Sequence, residues 1–241
     1  IFNVNKPPGV TSHDVVKVVR RLTGQRRVGH AGTLDPAAEG VLLICVGKAT
    51  KVVEYLVDDR KAYRAEITLG VSTDTYDAEG RITKRAPAVN VGRVEIEAVL
   101  GGFRGSILQV PPPYSAIKRG GQPLYKLARA GIEVSPEPRR VTIYRLEALA
   151  WRPPVLTIDV ECSKGTYIRS LANDLGERLG CGAHLSGLLR TASGHFTLES
   201  AVTLDDLNAA FAAGYAQELL FGLDEALLDY DALIVHVERA R

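Results

Sequence analysis

The sequence predicts an α+β protein, a twisted, mixed but mainly antiparallel sheet flanked by helices, and three observations point there. Helical and strand-like periodicities follow one another irregularly, without the strict alternation of a parallel βα series. Strand-like runs are often adjacent in the chain, which favours antiparallel pairing. A composition of 46% hydrophobic and 24% charged residues over 241 positions is that of an ordinary globular protein with room for a sizeable core.

Taken in order, residues 1–5 alternate as a strand, and Lys6-Pro7-Pro8-Gly9 turns the chain. A helix follows, with Ser12 as N-cap, Asp14 in its first turn, Val15, Val18, Val19 and Leu22 as its apolar stripe and Gly24 as its stop. Its other face carries Lys17, Arg20 and Arg21, with Arg26 and Arg27 just beyond, and a phosphate backbone fits such a face. Residues 41–46 are a continuously apolar run, read as a short buried strand, and 49–57 read as a helix. In 61–69, Tyr63, Ala65, Ile67 and Leu69 share one strand face. Ser, Thr, Asp and Gly dominate 71–80, which reads as an exposed loop.

Residues 91–100 have helical spacing ended by Gly101-Gly102, 103–110 return as a strand, and Pro111-Pro112-Pro113 breaks regular structure. From 114 to 140 the chain interleaves Tyr114, Lys118, Arg119, Gly120, Gly121, Tyr125, Lys126, Arg129, Arg139 and Arg140. Rings that stack on bases and cations that follow phosphates suit an RNA clamp; a plain surface excursion is the alternative. Residues 141–150 and 154–161 read as neighbouring strands, with Leu156, Ile158, Val160 and Cys162 on one face. A strand continuing past Gly165 would point Tyr167 and Arg169 to one side. Ser170 then caps a helix with Leu171, Leu175 and Leu179 as its stripe and Gly180 as its stop. Residues 204–211 and 224–228 are short helical pieces, and 233–237 a last strand.

Net charge is only +2, so total charge does not announce a nucleic-acid binder, although arginine outnumbers lysine by 21 to 9. No apolar run approaches the roughly 18 residues needed to span a membrane. Cys45, Cys162 and Cys181 form no C-x-x-C pair and read as reduced and buried, which suits the cytoplasm. Cys181 and His184 are spaced as ligands, but with no second pair a zinc site is not expected. The numbering starts at Ile1 and contains no methionine, so the natural start is expected upstream.

The best candidate for a working site is the stretch from Gly29 to Leu43, which sets the carboxylate of Asp35 among small residues before the buried strand. Pro36 disfavours the helical region for Asp35, so the side chain leaves an extended or turn backbone. A carboxylate beside such a strand is held rigidly and partly dried. The plainer reading is an Asp-Pro turn that merely precedes a core strand.

The order Gly29-His30-Ala31-Gly32-Thr33-Leu34-Asp35-Pro36, continued through Ala38, Gly40, Val41 and Leu42, resembles the catalytic motif of the TruB family, the tRNA pseudouridine-55 synthases. Lys6 to Ser12 resembles the family's first motif, and 73–80 its segment after Leu69-Gly70. Ser163-Lys164-Gly165-Thr166-Tyr167-Ile168-Arg169-Ser170, with Asp174-Leu175-Gly176 downstream, is a second specific match. Gly182 to Leu185 and Leu188 to Gly194 resemble the closing motif, with one departure: Leu189 stands where the family commonly has the first of two arginines, leaving only Arg190.

The resemblance implies the pseudouridine synthase fold as one catalytic domain over 1–241, with a thumb inserted at about 111–140. It also implies that 225–241 lead toward a small RNA-binding PUA domain that this sequence does not include. Asp35 would be the nucleophile, Arg169 its ion-pair partner and Tyr63 an active-site tyrosine that stacks on the base and handles protons. Tyr167 and Leu188 would line the base pocket, His30 would help fill the space left by the flipped nucleotide, Lys6 and its turn would support the catalytic loop, and Arg190 would be the remaining cationic contact. The expected substrate is the T-arm stem-loop of tRNA, bound by a monomer without membrane contact. Read from residue type alone, Tyr63 is a core tyrosine and His30 a structural histidine.

Turning uridine into pseudouridine is redox-neutral, so no cofactor is expected, in keeping with a sequence that lacks a G-x-G-x-x-G fingerprint, a P-loop and a metal-spaced cluster. Burial would neutralise Asp35, and the guanidinium of Arg169 is expected to keep it charged. Two rivals use the same residues differently. An RNA-binding or RNA-folding module would use the basic face and thumb without chemistry, so Asp35→Asn would change nothing. A glycoside hydrolase would pair Asp35 with Glu39, but the only tryptophan, Trp151, is no sugar platform beside them.

Overall fold

The computed structural model describes residues 1–115, 117–119, 121–124 and 136–228. A nine-stranded sheet runs in the order β1 (Phe2–Lys6), β3 (Glu39–Val46), β12 (Ala183–Ser193), β4 (Lys61–Leu69), β11 (Val155–Cys162), β10 (Arg139–Arg152) and β7 (Gly105–Gln109). On this path β2 (Val28–Ala31) adds to β3, and β13 (Phe196–Thr197) to β12. Every pairing is antiparallel except that of β12 with β3, where Leu189 faces Glu39 and Arg190 faces Gly40. That parallel contact brings the motif after Asp35 beside the closing motif of the chain.

The apolar run in β3 is buried on both faces, with Val41 to Cys45 fully enclosed, and each such large side chain contributes about 1.5–3 kcal/mol. Helices α3 (Arg93–Gly101) and α4 (Ile168–Arg178) cover β4, β10, β11 and β12 over one apolar cluster. Helices α1 (Ser12–Thr23) and α5 (Leu204–Ala213) join β1, β3 and Leu34 in a second. Tyr63 and Leu188 pack against both clusters, so they stand at the seam between the two halves. A third cluster gathers Leu43, Cys45, Leu56 and Phe196 on the far face of β3. Among the described residues no helix is long and apolar enough to cross a membrane.

Local structure departs from the sequence reading at identifiable points. The N-cap of α1 is Thr11, not Ser12: Thr11 and Asp14 bond each other's main-chain N–H groups in a capping box, which frees Ser12 for the interior. The helix expected over 49–57 breaks at Val52 into a 3₁₀ turn (Gly47–Lys51) and α2 (Val53–Asp58). The loop expected over 71–80 contains β5 (Val71–Thr73), paired with β6 (Ile82–Arg85), and it buries Ser72 and Thr73. Ser170 caps nothing, because α4 begins at Ile168, with Tyr167 as its N-cap; the Ser170 hydroxyl donates instead to Val110 O at 2.7 Å. Arg169 therefore leaves a helix rather than a strand. The expected helix at 224–228 is a 3₁₀ turn (Glu225–Leu227).

The central strand β12 was not evident from periodicity. Register shifts at Leu185/Gly187 and Arg190/Ala192 interrupt its alternation, so no period of two runs along it. In the span expected to form the thumb, β8 (Lys118–Arg119) pairs with β9 (Gln122–Pro123). Tyr125, Lys126 and Arg129, and the strand expected at 233–237, lie outside the described residues.

Candidate active site

The Asp35 loop is clamped on both sides of the carboxylate. Ser12 Oγ accepts from Leu34 N at 2.9 Å and donates to Leu34 O at 3.0 Å. Pro36 O accepts from Gly9 N at 2.9 Å and from Lys6 Nζ at 3.1 Å. Ala38 N closes a turn onto Asp35 O at 3.1 Å. Lys6 is fully buried and also donates to Pro7 O and Val10 O, at 2.9 and 2.8 Å. Burial lowers its pKa to about 8 against the pull of Asp35 and Glu39. Its place is beneath the loop and not in the cleft wall.

Above this loop opens a cleft of about 630 Å³, whose walls bring together His30, Asp35, Tyr63, Tyr167, Arg169, Leu188 and Arg190. Arg169 Nε stands 2.9 Å from Asp35 Oδ2; Asp35 keeps 43% of its side chain exposed toward the cleft, Arg169 only 8%. The Nε–H is not aligned for a hydrogen bond, so the contact is an ion pair across the cleft floor. The other guanidinium nitrogens are engaged elsewhere: Nη1 with Asp77 Oδ2 at 3.2 Å and Thr75 O at 3.3 Å, Nη2 with Tyr114 O at 3.0 Å.

Burial raises the Asp35 carboxyl above its ordinary range; Arg169 and Lys6 draw it down, and Asp77 adds to the rise. Arg169 thus works against the cost of burial, as expected of it, but the cation is shared with a second carboxylate. Asp77 was the site residue that sequence reasoning missed, because it sits in a Ser/Thr/Asp/Gly run that looks like solvent-exposed loop. The signal was the spacing of Asp74, Thr75, Asp77 and Gly80, which folds on itself through Thr75 Oγ1 and Glu79 N, both bound to Asp77 Oδ1.

Tyr167 is held by Gln109, whose side-chain amide accepts from Tyr167 N at 2.8 Å and donates to Tyr167 O at 3.0 Å. With the Ser170 and Arg169 bonds to Val110 and Tyr114, the start of α4 is tied to the root of the 111–140 excursion. Arg190 is 1% exposed. Its Nε donates to Val41 O at 2.6 Å and its Nη2 to Gly32 O at 3.1 Å, and its charge works against the burial that raises the Tyr63 phenol. It is a buried brace behind the cleft, not an open cation. Gly40 makes this fit possible: at φ 103° it lies where any Cβ would strike the Arg190 main chain.

Burial raises the Tyr63 and Tyr167 phenols, which keeps both protonated at neutral pH. Burial, followed by Arg190 and His13, lowers His30, so its ring is neutral at neutral pH, and its buried Nδ1 has no hydrogen-bond partner among the described residues. Among the described residues no group of three or more His, Cys, Asp or Glu gathers as a metal centre would.

This arrangement coincides with the family matches. Residues 20–168 match the model of the TruB family pseudouridylate synthase N-terminal domain, and 169–235 that of the tRNA pseudouridylate synthase B C-terminal domain. The chain belongs to the TruB family. Relatives named tRNA pseudouridine synthase B include one from Symbiobacterium thermophilum, 55% identical over 88% of this chain and 72% of its own length. One from Syntrophotalea carbinolica is 48% identical over 98% of this chain and 76% of its own. Among solved structures, a chain of a Cbf5-Nop10-Gar1 complex superposes with a TM-score of 0.74 at 33% identity. The match covers 94% of this chain and 60% of that one. The two TruB segments are not separate in space, since β12 of the second pairs with β3 and β4 of the first.

Proposed function

We infer that this chain is a tRNA pseudouridine synthase that isomerises the T-loop uridine at position 55, with Asp35 as its nucleophile. The observation that carries the reading is a half-exposed carboxylate, ion-paired to Arg169, at the floor of a TruB-family cleft walled by Tyr63, Tyr167 and Leu188. In the reaction the N1–C1′ bond breaks, the base turns and C5 bonds to C1′; the C5 hydrogen leaves as a proton and N1 takes one up. Product and substrate have the same atoms and the same oxidation state, so the protein needs to supply only a nucleophile, a proton path and orientation.

The cleft supports each part. A stacked loop nucleotide must be flipped out to reach Asp35. Tyr63 and Leu188, at the seam of the two cores, form an apolar wall for its base, and Tyr167, fixed by Gln109, closes the other side. The protonated Tyr63 phenol handles the proton. Neutral His30, with its Nδ1 unspent, is placed to fill the gap left in the RNA. Each of these side chains comes from one chain, which fits action as a monomer, and a tRNA substrate fits a cytoplasmic enzyme.

The test is incubation of the purified chain with unmodified tRNA, without added cofactor, followed by nucleotide-resolved mapping of pseudouridine. A single new pseudouridine at position 55 is expected. Binding without any conversion would give the chain to the RNA-binding reading instead.

A further inference from the structure

Tyr76 is the one non-glycine residue, among those described, with a positive φ, 64°. That region is costly for an L residue, and such strain persists where the surroundings over-determine it. Here they do so on both sides. The Thr75 carbonyl accepts from Arg169 Nη1 at 3.3 Å, and Asp77 Oδ2 accepts from the same nitrogen at 3.2 Å. Two groups on either side of one residue meet one guanidinium nitrogen because the chain doubles back at Tyr76. Tyr76 O accepts from Leu185 N at 3.0 Å, which pins the turn to β12. Thr73 Oγ1 donates to Asp77 O at 2.7 Å, while Thr75 Oγ1 and Glu79 N occupy Asp77 Oδ1 and leave Oδ2 for Arg169. The phenol of Tyr76 lies near Asp174 and Glu177 of α4 and does not line the cleft.

We propose that Tyr76 is a positioning residue for the isomerisation: its left-handed backbone aims the Thr75 carbonyl and the Asp77 carboxylate at Arg169 and so sets the guanidinium against Asp35. The inference rests on the roles given to Asp35 and Arg169 above. It assigns the effect to backbone shape rather than to the tyrosine ring. Asparagine enters the left-handed region readily, and a β-branched valine does not.

The experiment compares Tyr76→Asn, Tyr76→Val, Asp77→Ala and the double variant Tyr76→Val/Asp77→Ala in single-turnover pseudouridine formation on unmodified tRNA, with RNA affinity measured alongside. Tyr76→Val is expected to slow the chemical step by about tenfold or more while affinity stays within about twofold, and Tyr76→Asn to restore the rate. The double variant is expected to be no slower than Asp77→Ala alone, because both changes break one device. A wild-type rate in Tyr76→Val, an Asn variant as slow as the Val variant, or an additive loss in the double variant would overturn the proposal. Should Tyr76→Val not fold, Tyr76→Asn decides: a rate near wild type upholds the backbone role, and a rate about tenfold lower overturns it. A wild-type chain that makes no pseudouridine would fail the enzymatic reading itself, a result distinct from all of these.

Discussion

Asp77 Oδ2 stands 3.2 Å from Arg169 Nη1, so the guanidinium that faces Asp35 at 2.9 Å is held from behind by a second carboxylate. One buried cation between two anions is stiff, because turning it toward either carboxylate strains the other contact. It also leaves the nucleophile less completely neutralised than a private ion pair would. A carboxylate that is to attack carbon benefits from both properties: its partner does not wander, and its lone pairs are not all spent.

Replacing Arg169 tests this sharing. Lysine supplies a point charge in place of a planar fork and cannot reach Asp35, Asp77, Thr75 O and Tyr114 O together. Arg169→Lys is expected to lower the chemical rate by roughly 100-fold or more with a smaller change in RNA affinity. Arg169→Met, which leaves the largely buried Asp77 without its cation and Asp35 half-exposed, should also destabilise by roughly 1–3 kcal/mol. Single-turnover rates and denaturant melts check both; an Arg169→Lys enzyme near wild-type rate contradicts the account.

The pH dependence follows from burial of Asp35. Its carboxyl sits above the ordinary value of 3.8, raised first by burial, so the rate should fall on acidification before a free carboxylate would titrate. Asp77 adds to the rise, and Asp77→Asn should move this acid limb to lower pH. For stability, a raised folded pKa means that ionisation of Asp35 opposes folding above that pKa, and the penalty vanishes as pH falls toward 3.8. Asp35→Asn should therefore melt no lower than wild type at neutral pH, with any gain shrinking on acidification. An acid limb unmoved by Asp77→Asn would contradict the coupling.

Lys6 is predicted to matter through the loop it carries. Lys6→Met fills the same space but removes the ammonium donor from the carbonyls of Pro7 and Val10 and leaves Pro36 O to Gly9 N alone, at up to roughly 1–3 kcal/mol for each acceptor that water does not reach. Thermal melts should fall, and turnover should fall further than affinity as Pro36 loosens beside Asp35. A variant as stable and as active as wild type would remove Lys6 from the account.

Gly40→Ala places a methyl against the Arg190 main chain at a φ of 103°. The conformational cost alone is about 1–3 kcal/mol, and parting β3 from β12 adds to it. A clear drop in melting temperature is expected, accompanied by weakened activity as β12, which pairs Arg190 with Tyr63 of β4, is displaced. An unchanged melting temperature would mean that the strands separate freely here.

What the sequence made legible was whatever local chemistry determines. Asp35 stood out from an ordinary Asp-Pro turn because the residues around it follow a family motif, and β3, β4 and β11 followed from runs whose burial pattern matches the sequence pattern. Other features depend on partners far along the chain. Asp77 looks solvated until Arg169, 92 positions later, is brought to it by α4. Arg190 looks like a surface cation until β12 lies parallel to β3 and encloses it. Two register shifts concealed β12 itself, and the Thr11 cap was passed over because Ser12, one residue on, is an equally good capping type but has a buried use at Leu34.

The most direct measurement is single-turnover pseudouridine formation at position 55 of unmodified tRNA by wild type and Asp35→Asn, with RNA affinity determined for each. The account predicts a wild type that converts this one uridine and an Asn variant that binds the RNA within about twofold yet forms no pseudouridine. An Asn variant that still converts the uridine at the wild-type rate would contradict it, since a neutral amide at the same place has no carboxylate with which to attack.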